Sequence, residues 1–200
     1  MLRKIFIAIP VALFILFALY IGAHIVSLQY TKAQLDNVPD AYTYGNPDGD
    51  VTLVEFVKYT CPYCRQFHQT VIEAVRQDGN VRYIPRPLPS DVKDAQLAYA
   101  AGEQGLFHLA HGALLQDPRI MDEGGIMAIA ETLGFEDMEK LKTDMDSDTI
   151  KSHIQTNIDL FYALGLQSTP TYIIGDIIFV PENTPPTVED FLTLFNQARD

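Results

Sequence analysis

Cysteine is scarce in this chain: Cys61 and Cys64 are the only two in 200 residues. Two cysteines three positions apart cannot staple a domain, so stability must come from an apolar core, which a domain of about 160 residues is long enough to bury. There is no second C-x-x-C and no H-x-H near the pair. A structural zinc site, which needs four ligands, is therefore incomplete. Basic residues are also few, 14 Lys and Arg against 26 Asp and Glu, for a formal net charge of −12. That balance argues against nucleic acid and anionic lipid as partners. No internal repeat and no low-complexity tract is present.

Charge is missing altogether from Ile5 to Thr31. Arg3 and Lys4 precede 19 apolar residues, Ile5 to Ala23, and a run of that length is expected to form a transmembrane helix. A cleaved secretory signal is the alternative, but Tyr20, Ile21 and His24 do not fit the small-residue pattern of a cleavage site. The expectation is a retained anchor over residues 1–28, with His24 at the outer interface. Either way Arg3 and Lys4 hold the N-terminus in the cytoplasm, which places the rest of the chain on the extracytoplasmic side. Residues 29–44 read as a polar linker, and 45–200 as the folded domain.

With so little cysteine, where the pair sits carries the argument. Thr60-Cys61-Pro62-Tyr63-Cys64 follows an apolar run, Val51 to Tyr59, and opens a helix-like pattern, Arg65 to Gln77. Residues i and i+3 share a helix face, so Cys61 and Cys64 can close a disulfide across the first turn. Pro62 suits that turn because its missing N–H would be unpaired there anyway. Cys61 then lies at the helix N-terminus, where free amides and the macrodipole favour a thiolate. A thiolate is the attacking species in disulfide exchange, so Cys61 is the candidate nucleophile and Cys64 its resolving partner. Three other uses stay open: a metal site with His68 as third ligand, a soft-ion metallochaperone holding Cu(I), and an inert structural disulfide.

Ahead of the pair, Val51-Thr52-Leu53-Val54-Glu55-Phe56-Val57 is apolar on both faces except at Glu55, the pattern of a strand covered on both sides. A carboxylate there is costly without a task or a partner. Beneath the cysteines it can carry protons to and from Cys64; on an edge strand it would simply face water. After the helix, Asp78-Gly79-Asn80 is a stop, and Val81 to Pro85 is a second strand that Pro85, Pro87 and Pro89 end. Residues 91–164 have helical periodicity, with breaks at Asp117-Pro118, Glu123-Gly124-Gly125 and Gly134. Three or four inserted helices are expected. His108 and His111, one helical turn apart, read as packing residues, since no carboxylate or cysteine at matching spacing completes a metal site. Thr171 to Phe179 is a hairpin about Gly175-Asp176, with Pro170 a strand-start or cis proline before it. Thr187 caps a final helix whose apolar face is Val188, Phe191, Leu194 and Phe195.

In this order the elements resemble the DsbA family, over roughly residues 45 to 200. The carriers are Val54-Glu55-Phe56 ahead of Cys61-Pro62-Tyr63-Cys64, and Ser168-Thr169-Pro170-Thr171 in the place of that family's cis-proline loop. The resemblance implies an α/β thioredoxin-like fold with an inserted helical subdomain and a protein thiol–disulfide oxidoreductase without a cofactor. It implies Cys61 as nucleophile, Cys64 as resolving thiol, Glu55 as buried acid, a cis Thr169–Pro170 bond beside the cysteines, and Pro62, Tyr63 and Thr169 against the substrate. Implied partners are exported proteins with free thiols or disulfides, and a membrane redox partner that recycles the cysteines. Members of the family often have His where Tyr63 stands, and a neutral phenol lacks an imidazole's help to the thiolate. A milder oxidant is therefore expected, with a reductase or isomerase as the alternative to a dithiol oxidase.

Overall fold

The computed structural model describes residues 14, 16–22, 29, 31–182 and 184–200. Much of the expected membrane span, 5–23, lies outside the described residues. Among those described, no helix is long and apolar enough to cross a membrane. The chain divides into two units, residues 1–37 and 38–200; in the first, residues 31–36 are helical.

The second unit is built on a five-stranded sheet in the order β1-β3-β2-β4-β5, from β1 (Tyr44–Gly45), β2 (Val51–Val57), β3 (Val81–Pro87), β4 (Thr171–Ile174) and β5 (Ile177–Phe179). Strand β2 is central, parallel to β3 and antiparallel to β4, and with both faces covered it is largely apolar on each, Glu55 being the exception. Alternation sends Val51, Leu53, Glu55 and Val57 to one face. There Val51 and Leu53 pack with Val71 and Val75 of helix α1 (Pro62–Asp78), and with Phe191 and Phe195 of the last helix. On the other face Phe56 meets the Phe161 ring edge-on at 5.6 Å.

Between β3 and β4 stand α2 (Asp94–Gly102), α3 (Phe107–Gln116), α4 (Gly125–Ala130), α5 (Met138–Met145) and α6 (Asp148–Ala163). Five helices thus replace the three or four expected. Two breaks were missed in the sequence: Asp146-Ser147, where Ser147 caps α6, and Gly105, whose positive φ of 73° follows the end of α2 in a conformation that glycine adopts without strain. Leu97, Phe107, Leu114, Ile129, Leu141 and Ile150 form a second core that also takes in Val57, Tyr59 and Cys64. Each such side chain stabilises the fold by roughly 1.5–3 kcal/mol. The final helix, α7 (Val188–Arg199), starts with a capping box between Thr187 and Asp190.

Two expectations are corrected. The stretch read as linker carries a 3-10 turn, Asp40–Tyr42, and strand β1; Tyr42 is buried against the rings of Tyr99 and Phe107. Strand β3 also runs through its prolines to Pro87. It can do so because β1 pairs only with Arg82 and Tyr83, so the later residues of β3 have one free edge, where a missing N–H breaks no ladder.

Asn157 of α6 fastens the insertion to the sheet. Fully buried, it donates to the Pro87 carbonyl at 2.8 Å and the Tyr99 hydroxyl at 2.7 Å, and accepts from Arg86 Nη1 at 3.2 Å. Asn157→Ala should lower the unfolding free energy by about 2–4 kcal/mol, because it strips partners from a buried carbonyl and a buried cation. Urea denaturation measures this, and a loss below about 0.5 kcal/mol, the scatter of ordinary surface changes, would refute the role.

Candidate active site at the tip of helix α1

Cys61 is the N-cap of α1 and Pro62 its first residue. The Cys61 N–H donates to the Lys58 carbonyl at 3.0 Å, and the Cys61 carbonyl accepts from the Arg65 N–H at 3.1 Å, so the first turn is closed. Arg65 then donates to the carbonyls of Leu114 and Asp117 at 2.9 and 3.1 Å, tying the tip of α1 to the C-terminal end of α3.

The two sulfurs, both present as thiols, have opposite environments. Cys61 is partly exposed, and its pKa is lowered to about 5. The largest cause is a hydrogen bond from the Cys64 thiol; the amides of Cys64 and Tyr63 and the Thr169 hydroxyl add to it against a partial burial penalty. Cys64 is completely buried. Burial pushes its thiol well above the ordinary range, helped by its bond to Cys61 and the nearby charge of Glu55.

The Thr169–Pro170 bond is cis, and the Cys61 thiol donates to the Thr169 carbonyl at 3.2 Å. Beside this contact opens a cleft of about 660 Å³ lined by Lys58, Leu88, Phe161, Tyr162, Ser168 and Thr169, among others. Tyr63 is 58% exposed, its ring 5.9 Å from that of Phe67. Pro62 and Tyr63, both exposed, and Thr169 therefore lie beside the Cys61 sulfur.

Glu55 has no solvent exposure, which excludes the edge-strand alternative. Its face of β2 is the one that Val57 and Cys64 share. Tyr172 stands directly opposite it on β4, and Tyr83 pairs with Leu53, two residues back along the same face. Tyr83 Oη donates to Glu55 Oε2, while Oε1 and the Tyr172 hydroxyl are buried without a hydrogen bond of normal geometry. Burial raises the Glu55 pKa to about 7, with the hydrogen bonding from Tyr83 pulling it back and the Cys61 charge adding to the rise. The Glu55 charge also raises the pKa of the buried Cys64 thiol, and an acid poised near neutrality that close to a thiol can exchange protons with it.

His68 is buried with its ring 5.1 Å from that of His111. Among the described residues no three His, Cys, Asp or Glu side chains gather to hold a metal ion. Tyr83, Tyr59 and the polar side of His111 escaped sequence reasoning. The sole signals were a tyrosine at an inward position of β3 and the His108/His111 pair, which spacing alone assigned to packing.

The family profile described as Thioredoxin matches residues 37–196. The chain belongs to the thioredoxin family. Among solved structures, this thioredoxin-family chain is similar to a thioredoxin-like oxidoreductase from Silicibacter pomeroyi DSS-3, with 34% identity and a TM-score of 0.73 over 83% of this chain and 96% of that one. It is similar also to the catalytic domain of Proteus mirabilis ScsC, at 25% identity and a TM-score of 0.71 over 86% and 96%. A probable disulfide bond formation protein D of Bacillus anthracis shares 28% identity over 178 residues, 78% of this chain and 82% of that protein. Other relatives are much longer: the Na(+)/H(+) antiporter NhaA 1 of Salinispora arenicola shares 29% identity over 137 residues, and the match spans 21% of its length. The thioredoxin-family domain of this chain is an oxidoreductase domain.

Proposed function

We propose that the chain is a thiol–disulfide oxidoreductase that oxidises the thiols of exported proteins through Cys61 and Cys64. The observation that carries this is the contrast between the two sulfurs: Cys61 stabilised as an anion at the surface, Cys64 buried and held as a thiol. A substrate thiolate attacks Cys61 Sγ of the enzyme disulfide, the Cys61–Cys64 bond breaks, and Cys64 leaves with the electron pair and takes a proton from Glu55. A second substrate thiolate then attacks the substrate sulfur of the mixed disulfide and expels Cys61 as its stable thiolate. The product is a substrate disulfide, and the enzyme has gained the two electrons. Thr169, beside Cys61, offers backbone for an extended peptide to pair with, and the adjoining apolar cleft suits its side chains. In this proposal the run Ile5 to Ala23 anchors the chain in the inner membrane, with the domain on the extracytoplasmic side, near a membrane redox partner that reoxidises the cysteines.

Direction is tested by equilibrating the protein with glutathione redox buffers. Stabilising the Cys61 thiolate favours the reduced form and makes the disulfide a better oxidant, so a potential above roughly −180 mV is expected. A value near about −270 mV would make it a reductase.

A further inference from the structure

Glu55 is connected to more than the cysteines. Tyr83 Oη, which donates to Glu55 Oε2, lies 3.3 Å from His111 Nε2, and His111 Nδ1 lies 3.0 Å from Tyr59 Oη. Tyr83 and His111 both line a small cleft of about 160 Å³, together with Tyr44, His68, His108 and Gln116. At about 30 Å³ per water molecule this space takes a few waters. It shares no lining residue with the cleft beside Thr169. His68 Nδ1, buried and without a hydrogen-bond partner, adds to the polar character of this region.

We propose that Tyr83 and His111 form a proton relay between Glu55 and this second cleft, keeping the buried acid in equilibrium with solvent protons. The proposal rests on the reading of Glu55 as the proton partner of Cys64. Glu55 must hold a proton when Cys64 leaves the enzyme disulfide. It must lack one when Cys64 attacks Cys61 Sγ to restore that disulfide. Exchange by itself returns Glu55 to its starting form, since the proton given to Cys64 comes back when Cys64 attacks; a proton gained or lost at any other time, for an acid poised near pH 7, must travel through the protein, because Glu55 has no exposed surface. The chain of contacts provides the path: the Glu55 carboxyl gives its proton to Tyr83 Oη, Tyr83 gives its own to His111 Nε2, and the imidazolium passes that Nε2 proton to water in the cleft its ring lines, while Nδ1 keeps its proton toward Tyr59. Glu55 ends as a carboxylate, and Tyr83 and His111 end neutral, as they began; uptake is the reverse. Burial, with His68 and His108 nearby, holds His111 well below the usual histidine range, so it passes a proton on instead of keeping it.

Tyr83 and His111 act through Glu55 and touch no reacting sulfur, so the readout must be the acid's own proton exchange. In the full chain, the infrared band of the protonated Glu55 carboxyl is followed after a stopped-flow jump from roughly pH 9 to roughly pH 5, which spans the raised carboxyl midpoint. Glu55→Gln, which removes the band, identifies it. Tyr83→Phe, which deletes one oxygen, should slow the appearance of the band by about tenfold or more, the effect of roughly 1.4 kcal/mol of added barrier. His111→Ala should do the same, and imidazole added to the solution should restore the rate by entering the vacated space. A purely structural role would move the midpoint of the band and leave its rate unchanged. Undiminished rates in Tyr83→Phe and His111→Ala would overturn the relay while leaving Glu55's role intact. A Glu55→Gln variant with unaltered Cys64-dependent exchange would instead remove the underlying reading of Glu55, and the relay with it. Should His111→Ala fail to fold, Tyr83→Phe decides the question.

Discussion

Cys64→Ser is expected to leave the protein joined to its substrates through Cys61, whereas Cys61→Ser should abolish exchange and trap nothing. A thiolate is needed both to attack a disulfide and to leave from one. With its pKa near 5, Cys61 is about nine-tenths ionised at pH 6, against under one-hundredth for an ordinary thiol. Cys64, buried and pushed far the other way, contributes almost no anion there. Alkylation of the reduced protein at pH 6, read by peptide mass, should therefore modify Cys61 faster by on the order of 10²-fold or more. Equal rates at the two sulfurs would sink the assignment. With Cys64 replaced by serine the chain loses its own resolving sulfur, so a mixed disulfide formed when the Cys61 thiolate attacks a substrate disulfide is released only if a substrate thiol reaches it; such adducts should accumulate in cells, visible on non-reducing gels as species that a reductant releases.

Glu55→Gln should slow exchange and at the same time stabilise the fold. The sign follows from the two states. Unfolded, Glu55 titrates near 4.5; folded, near 7. Between these values the native protein holds a proton that the unfolded chain releases, so the contribution of Glu55 to stability is full below about pH 4.5, falls as pH rises, and is level above about pH 7. The interval, at 1.36 kcal/mol per pH unit, amounts to about 3 kcal/mol. Glutamine keeps the shape and an acceptor for Tyr83 and carries no charge, so the variant should exceed the wild type by up to about 3 kcal/mol at pH 8, with the difference vanishing near pH 4. Exchange should slow by on the order of 10²-fold, the lower end of what a positioned proton donor and acceptor contributes. Urea denaturation across pH and stopped-flow exchange with a thiol substrate check the two halves. A variant whose advantage over the wild type is no larger at pH 8 than at pH 4 would mean that Glu55 is solvated in the native protein, and unchanged kinetics would mean that Cys64 obtains its proton elsewhere.

Much of the architecture was legible because it is decided locally. The apolar run from Val51 to Val57, the turn at Gly175-Asp176 and the cap at Thr187 each involve residues a few positions apart, and β2, the β4–β5 hairpin and α7 follow them. The helical insertion was legible as a block, but its division at Gly105 was not, since one glycine within a helical pattern signals a turn only when its φ is known. Strand β1 escaped notice for a related reason: two residues, Tyr44 and Gly45, have no periodicity, and they form a strand because β3 offers them an edge.

At the site the same division holds. Sequence alone determined that two cysteines three residues apart, with a proline between them, sit at the start of a helix behind a strand, because an N-cap, a first-turn proline and a macrodipole are properties of one short segment. The tertiary structure decided what surrounds them. Glu55 is an acid near neutrality only because β2 is covered on both faces, and its contact with Tyr83 joins positions 28 residues apart. His111, a packing residue by spacing, meets Tyr83 and Tyr59 across a similar or greater separation. Desolvation is the sum of everything folded around a group, and no local pattern of residues encodes that sum.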